Sequence, residues 1–100
     1  MTLEEEWDAL LAMEQPEVPE LASGVDLAML AADTANCVSE ILVTGSLDVG
    51  RMGTLRACES ELRAALPSLS GPAAVYFARL AEIAGGVLLR VAVIRPSWQG

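Results

Sequence analysis

The sequence predicts an all-α protein: an antiparallel bundle of three long helices plus a shorter N-terminal helix. Apolar residues recur at helical spacing along most of the chain, and helix start and stop signals separate four such segments. The only stretches with strand character are 41–44 and 87–94. An isolated pair of strands is marginally stable at best, so we expect a bundle without a sheet.

The first helix begins after Thr2, which forms a capping-box pattern with Glu5. We expect this helix to end near Glu14. The segment that follows, 15–24, contains two prolines, whose missing N–H groups and fixed φ prevent a helix from continuing. It is predicted to be an extended linker.

The second helix has a start signal in Ser23 and Asp26, which are three residues apart, and a stop signal in Gly45. Its acids fall on one stripe at about 100° per residue, which leaves an apolar arc of about 220°. One neighbouring helix cannot cover an arc of that width.

The third helix is expected to begin near Ser46 or Asp48 and to end at about Leu66. Its long apolar residues lie on one side. We expect a second neighbour to approach closely on the other side, where the residues are small: Gly53, Ala57 and Ala64.

The fourth helix begins at Gly71 and Pro72, with proline at a position where its missing N–H costs nothing. Gly85 and Gly86 each cost about 1 kcal/mol in a helix interior. Residues 87–94 are rich in β-branched side chains, so the alternative is a shorter helix followed by a strand. We favour one helix that continues through the glycine pair to about residue 94.

A chain of 100 residues has room for one domain. We divide it into an acidic helix and linker over 1–24, a bundle core over 25–95 and a short tail over 96–100. Trp98 in the tail is expected to cap one end of the bundle.

The charges are separated along the chain. Residues 1–48 contain eleven acids and no basic residue, whereas residues 49–100 contain six arginines and three acids. We therefore expect ion pairs between the two halves. A net charge of −8 without any lysine excludes the basic surface that nucleic-acid binding requires, and it favours a basic protein partner.

The sequence offers little for metal binding or catalysis. Histidine is absent, and Cys37 and Cys58 lie far apart, so we expect no metal site, no cofactor and two buried free thiols. No nucleophile elbow, phosphate-binding loop or Ser-x-x-Lys pattern is present, which disfavours enzymatic activity.

Charged residues interrupt the most apolar segment at Arg79, Glu82 and Arg90, which argues against a membrane span. The N-terminus lacks the basic region of a signal peptide. We expect a cytoplasmic protein that does not contact the membrane.

The wide apolar arcs of the three long helices cannot all be covered by one another. Either the N-terminal helix folds back as a fourth member of the bundle, or two copies pair, or both occur. We expect a homodimer.

These patterns favour a small acidic interaction protein: an adaptor, regulator or inhibitor of a basic partner that also self-associates. The N-terminal helix presents a compact apolar face between acids, which suits a groove on a partner. The alternative for that face is that it covers the bundle of its own chain or of a second copy. The predicted partner-binding residues are Trp7, Leu10, Leu11, Glu4, Glu5 and Asp8.

A competing interpretation is a helical bundle that binds an anion or performs cofactor-free catalysis. Arginine guanidinium groups bind phosphates and carboxylates in bidentate geometry. The residues that would converge on such an anion are Arg51, Arg79 and Arg90.

Overall fold

The computed structural model is an all-α bundle, as the sequence predicts. It describes residues 2–14, 16–18, 24 and 26–94, with the backbone alone for 91–94. Within these residues there is no strand, and the α-helices are α1 (Leu3–Ala12), α2 (Leu27–Thr44), α3 (Val49–Ala65) and α4 (Gly71–Ile94), with a 3-10 turn at Leu66–Ser68. Most of the predicted linker and the 96–100 tail with Trp98 lie outside the described residues.

The capping box of α1 is confirmed. The Thr2 hydroxyl accepts from the Glu5 N–H at 3.2 Å, and the Glu5 carboxylate accepts from the Thr2 N–H at 2.9 Å. The helix ends at Ala12, slightly before the expected position.

Aspartates cap the next two helices. The Asp26 carboxylate accepts from the Met29 N–H at 3.1 Å, and the Asp48 carboxylate accepts from the Arg51 N–H at 2.7 Å. The second helix therefore starts after Asp26, while the other predicted start residue, Ser23, lies outside the described residues. Gly45 ends α2 with φ at +82°, a left-handed conformation that glycine adopts without a steric penalty.

The fourth helix is continuous through Gly85 and Gly86 to Ile94, so the alternative of a strand over 87–94 is wrong. Gly86 lies on the exposed side of α4. Packing of α4 against α1, α2 and α3 compensates for the low helix propensity of the two glycines.

The core sits where the four helices meet. α3 packs against both α2 and α4, and α1 lies on α4. Leu3, Trp7 and Leu10 of α1 join the same buried cluster as Phe77 of α4. Of the two remedies for the wide apolar arcs, the structure therefore shows the N-terminal helix as a fourth member of the bundle.

Within the described residues, α3 has the two helix neighbours that its sequence predicts, α2 and α4, but the expected close approach on its small-residue side is wrong. Both helices that pack on α3 contact its buried side, which includes Leu55 and Leu62. Gly53, Ala57 and Ala64 are exposed, and no atom lies within 4 Å of a β-carbon built on Gly53.

Two of the helices are long and apolar enough to cross a membrane by length and composition. The mean hydropathy is 1.3 over Leu27–Thr44 and 1.4 over Gly71–Arg90. The core helix of a soluble protein passes the same test, and both helices bury part of their surface in this bundle. The expectation that the chain does not span a membrane stays a prediction.

Candidate functional site

The apolar face of α1 is divided between core and solvent. Trp7 is 7% exposed and Leu10 1% exposed, whereas Leu11 is 62% exposed. Trp7 and Leu10 thus cover the chain's own bundle, which is the alternative that the sequence left open. A partner could contact Leu11 with the helix in place, but it could reach Leu10 only if α1 left the bundle.

The acids predicted for partner binding differ in their roles. Glu5 belongs to the capping box, and the hydrogen bond from the Thr2 backbone lowers the pKa of its carboxyl. Glu4 and Asp8 are exposed and lack an ion-pair partner among the described residues. These two acids remain free to meet a basic group.

An apolar groove lies between α1 and α2, with α4 as its floor. Its volume is about 260 Å³. α1 and α2 do not pack closely against each other, because each contacts α4 instead. We call this surface the apolar groove, and its lining residues are Trp7, Leu11, Pro16, Val18, Ala28, Ala31, Ala32, Ala35, Tyr76, Phe77 and Leu80.

Four alanines of α2 keep the groove open. Ala28, Ala31, Ala32 and Ala35 follow the i, i+3, i+4, i+7 spacing that places residues on one side of a helix. Ala28 and Ala32 are exposed. This groove was not predicted from the sequence, although the alanine spacing is a signal that indicates a small-residue side on α2.

Tyr76 is the one phenol in the groove wall. Its side chain is 9% exposed, and its ring meets that of Phe77 edge to face, with the centroids 5.3 Å apart. None of the hydrogen bonds between described side chains and backbone involves the Tyr76 hydroxyl. A largely buried hydroxyl usually has a hydrogen-bond partner. Since this one has none among the described residues, it is available to a bound ligand.

Acids flank the apolar groove. At about 100° per residue, Glu4 and Asp8 lie about 20° and 60° from Leu11 around α1, on the groove side of that helix. Glu14 and Glu17 line an adjoining cavity that shares Pro16 and Val18 with the groove. We call the four carboxylates the acidic rim: Glu4, Asp8, Glu14 and Glu17.

A second, polar groove lies between α2 and α3, where Asp33 and Glu40 face Arg51. Arg51 forms its ion pair with Asp48, at 3.0 Å, rather than with the acids of α2. This groove also reaches Cys37, whose thiol donates weakly to the Arg51 carbonyl at 3.5 Å.

The cysteines are free and buried, as predicted. Burial raises the pKa of the Cys37 thiol, and proximity to Cys58 adds to this effect. Burial likewise raises the pKa of the Cys58 thiol. Both groups are therefore poor nucleophiles at neutral pH, because the thiolate is the reactive form.

The arginines proposed for anion binding do not converge. Arg79 and Arg90 lie eleven residues apart on α4, which is about 16 Å along a helix axis. Arg51 lines the polar groove between α2 and α3, and Arg79 and Arg90 do not line it. A single small anion cannot bridge side chains arranged in this way.

The two ion pairs within the described part of the chain are local. Asp48–Arg51 joins the two halves at their boundary, as expected, whereas Glu59–Arg63 lies within the second half. Arg51 pairs with Asp48 three residues before it, and Arg63 pairs with Glu59 four residues before it. These two arginines pair with acids of α3 and its N-cap because a short sequence separation lowers the entropic cost of the pairing. The acids of α1 and α2 consequently form no ion pair within the part of the chain that the structure describes.

Among the described residues, no three His, Cys, Asp or Glu side chains gather as a metal site. Comparisons of the chain with protein-family models, with curated proteins and with solved structures found no match.

Proposed function

We propose that this chain is an acidic helical interaction protein that acts as an adaptor, regulator or inhibitor by binding a basic partner. The observation that carries the proposal is that the acids of α1 and α2, in the acidic half of the chain, have no ion-pair partner among the described residues. The two arginines with ion pairs in the described residues use acids of α3 and its N-cap, so the acids of α1 and the carboxylates of Glu14 and Glu17 have no ion-pair partner among those residues.

Uncompensated carboxylates on one side of a small protein attract cationic surfaces and accelerate encounter with them. The apolar groove beside these carboxylates adds apolar surface that a partner can bury. Affinity in protein interfaces comes mainly from buried apolar anchors, while the charged rim sets encounter rate and selectivity.

Two model peptides test this function. Each has about 14 residues with leucine at i, i+3, i+4 and i+7, and the remaining positions are lysine in one and glutamate in the other. We expect the Leu/Lys peptide to bind and the Leu/Glu peptide not to bind. Calorimetry should show that Leu/Lys affinity falls about tenfold or more between about 50 mM and 500 mM salt.

Equal affinity for the two peptides would contradict the proposal, because apolar contact alone would then account for binding. Absence of Leu/Lys binding at low salt would also contradict it.

Self-association is a second part of the proposal. Large apolar side chains remain exposed on more than one helix, including Met29 and Val43 on α2 and Val75 and Leu89 on α4. Arg79 and Arg90 lie beside Val75 and Leu89, and Glu82 lies in the same exposed stripe, so two copies of this stripe would offer each other opposite charges as well as apolar surface.

A further inference from the structure

The apolar groove is smaller than the clefts that hold small molecules. Its volume is about 260 Å³, below the range of about 300–1,000 Å³ that is usual for ligand pockets. Its walls are aliphatic and aromatic, and its α2 side is open through exposed Ala28 and Ala32. These dimensions suit one bulky apolar side chain supplied by a larger molecule.

The charge around the groove selects the kind of molecule. No arginine lines the groove or the adjoining cavity, while Glu14 and Glu17 line that cavity. Helical spacing places Glu4 and Asp8 within about 60° of Leu11 around α1. An apolar anchor flanked by basic residues is therefore favoured over one flanked by acids.

A second copy of this chain fits the groove less well than a separate partner does. The exposed stripe of α4, which carries Val75, Arg79, Glu82, Leu89 and Arg90, is centred near Val75. Val75 lies about 140° around the helix from Leu80 in the groove floor. A contact between the groove of one copy and the α4 stripe of the next would therefore use opposite sides of each molecule. Such a head-to-tail contact continues into open chains unless its rotation happens to close.

We infer that the apolar groove binds a bulky apolar side chain of a basic amphipathic helix from a separate partner protein, an inference that rests on the proposed function. Lysine or arginine residues of that helix meet the acidic rim. A polar group of the same helix pairs with the Tyr76 hydroxyl, which lacks a hydrogen-bond partner among the described residues.

The test uses the full chain, ¹⁵N-labelled, with the Leu/Lys peptide as the probe. Titration should shift amide resonances around Leu11, Ala28 and Ala32. An Ala32→Leu variant fills the groove from its open side and should weaken peptide binding about tenfold. The matched control is Ala57→Leu, the same change at an exposed alanine of α3, which should bind as the wild type does.

A Tyr76→Phe variant removes only the hydroxyl. We expect binding about threefold weaker, because one hydrogen bond to the peptide is lost. Thermal stability should stay unchanged, since no described group loses a bond.

The outcomes separate the groove from the proposed function. Suppose that the Ala32→Leu variant binds the Leu/Lys peptide as tightly as the wild type does, and that the amide shifts fall near Val75 and Leu89. The assignment of the groove as the binding site is then wrong, while the proposed binding of a basic partner stands. If the amide shifts at Ala32 depend on protein concentration without peptide, a second copy occupies the groove and the inference is overturned. If the peptide does not bind the wild type at all, both proposals fail.

Discussion

The side chain of Arg63 lies across α4 where Gly85 leaves room for it: Arg63 Nη2 is 3.1 Å from the position of a β-carbon on Gly85. Glu59 Oε2 lies 3.5 Å from the same position. The Glu59–Arg63 ion pair of α3 thus packs over a helix position without a side chain. Gly86, the next residue, has no atom within 4 Å of its β-carbon position.

This difference predicts that alanine at Gly85 stabilises the fold less than alanine at Gly86 does. Gly86→Ala should raise the free energy of unfolding by about 0.5–1 kcal/mol, because alanine restricts the unfolded chain and favours helix. Gly85→Ala should raise it by less, since Arg63 must move. Urea denaturation of both variants measures the difference between their free energies of unfolding. This difference should disappear in an Arg63→Ala background. Equal effects in the wild-type background would show that the ion pair does not use this space.

The burial of α1 predicts a sharp contrast between neighbouring leucines. Leu10→Ala should lower the free energy of unfolding by about 2–5 kcal/mol, as is typical of buried leucines. Leu11→Ala, the matched control at an exposed site, should change it by less than about 0.5 kcal/mol. Chemical denaturation gives both values. A small effect at Leu10 would mean that α1 is a detachable arm rather than part of the core.

Helix starts and stops could be predicted from the sequence because they are local. The Thr2 capping box, the Asp26 and Asp48 caps and the Gly45 stop each depend on residues within a few positions of one another. Sequence pattern therefore located all four helices to within a few residues.

The placement of the helices could not be predicted, because it depends on contacts between distant residues. The spacing of Trp7 and Leu10 shows an apolar face but not which helix covers it, and here it is covered by α4. The small side of α3 was expected to meet a neighbour and meets none among the described residues. The apolar groove exists only because α1 and α2 both rest on α4, a relationship that no local pattern contains.

The helix caps predict a dependence of stability on acid. The backbone N–H of Thr2 lowers the pKa of Glu5, and the backbone N–H of Arg51 lowers the pKa of Asp48. Because both pKa values are lower in the folded chain, the stabilisation is complete above the ordinary carboxyl values of 4.5 and 3.8. It is lost as the pH falls through the folded-state values.

An Asp48→Asn variant isolates this effect, because asparagine still caps a helix but does not titrate. Urea midpoints measured from neutral pH to about pH 2.5 should fall less steeply for Asp48→Asn than for the wild type. Parallel curves would contradict the assignment of Asp48 as a titrating cap.

Self-association predicts a dimer in solution. Multi-angle light scattering at micromolar concentration should return twice the mass of one chain, and Leu89→Glu should shift the equilibrium towards monomer by placing a charge on an exposed apolar site. The control is Val49→Glu, at an exposed apolar residue near the start of α3. A monomer mass for the wild type would contradict self-association but would leave binding of a basic partner untouched.

The central claim is that the acidic half of this chain recognises a basic partner through carboxylates placed beside the apolar groove. Calorimetry with the Leu/Lys peptide tests it most directly in two variants of equal charge change. Glu4→Gln with Asp8→Asn should weaken binding about three- to tenfold, whereas Glu61→Gln with Glu82→Gln, at exposed acids of α3 and α4, should weaken it much less. Equal losses in the two variants would show that net charge alone attracts the peptide, and the claim would be wrong.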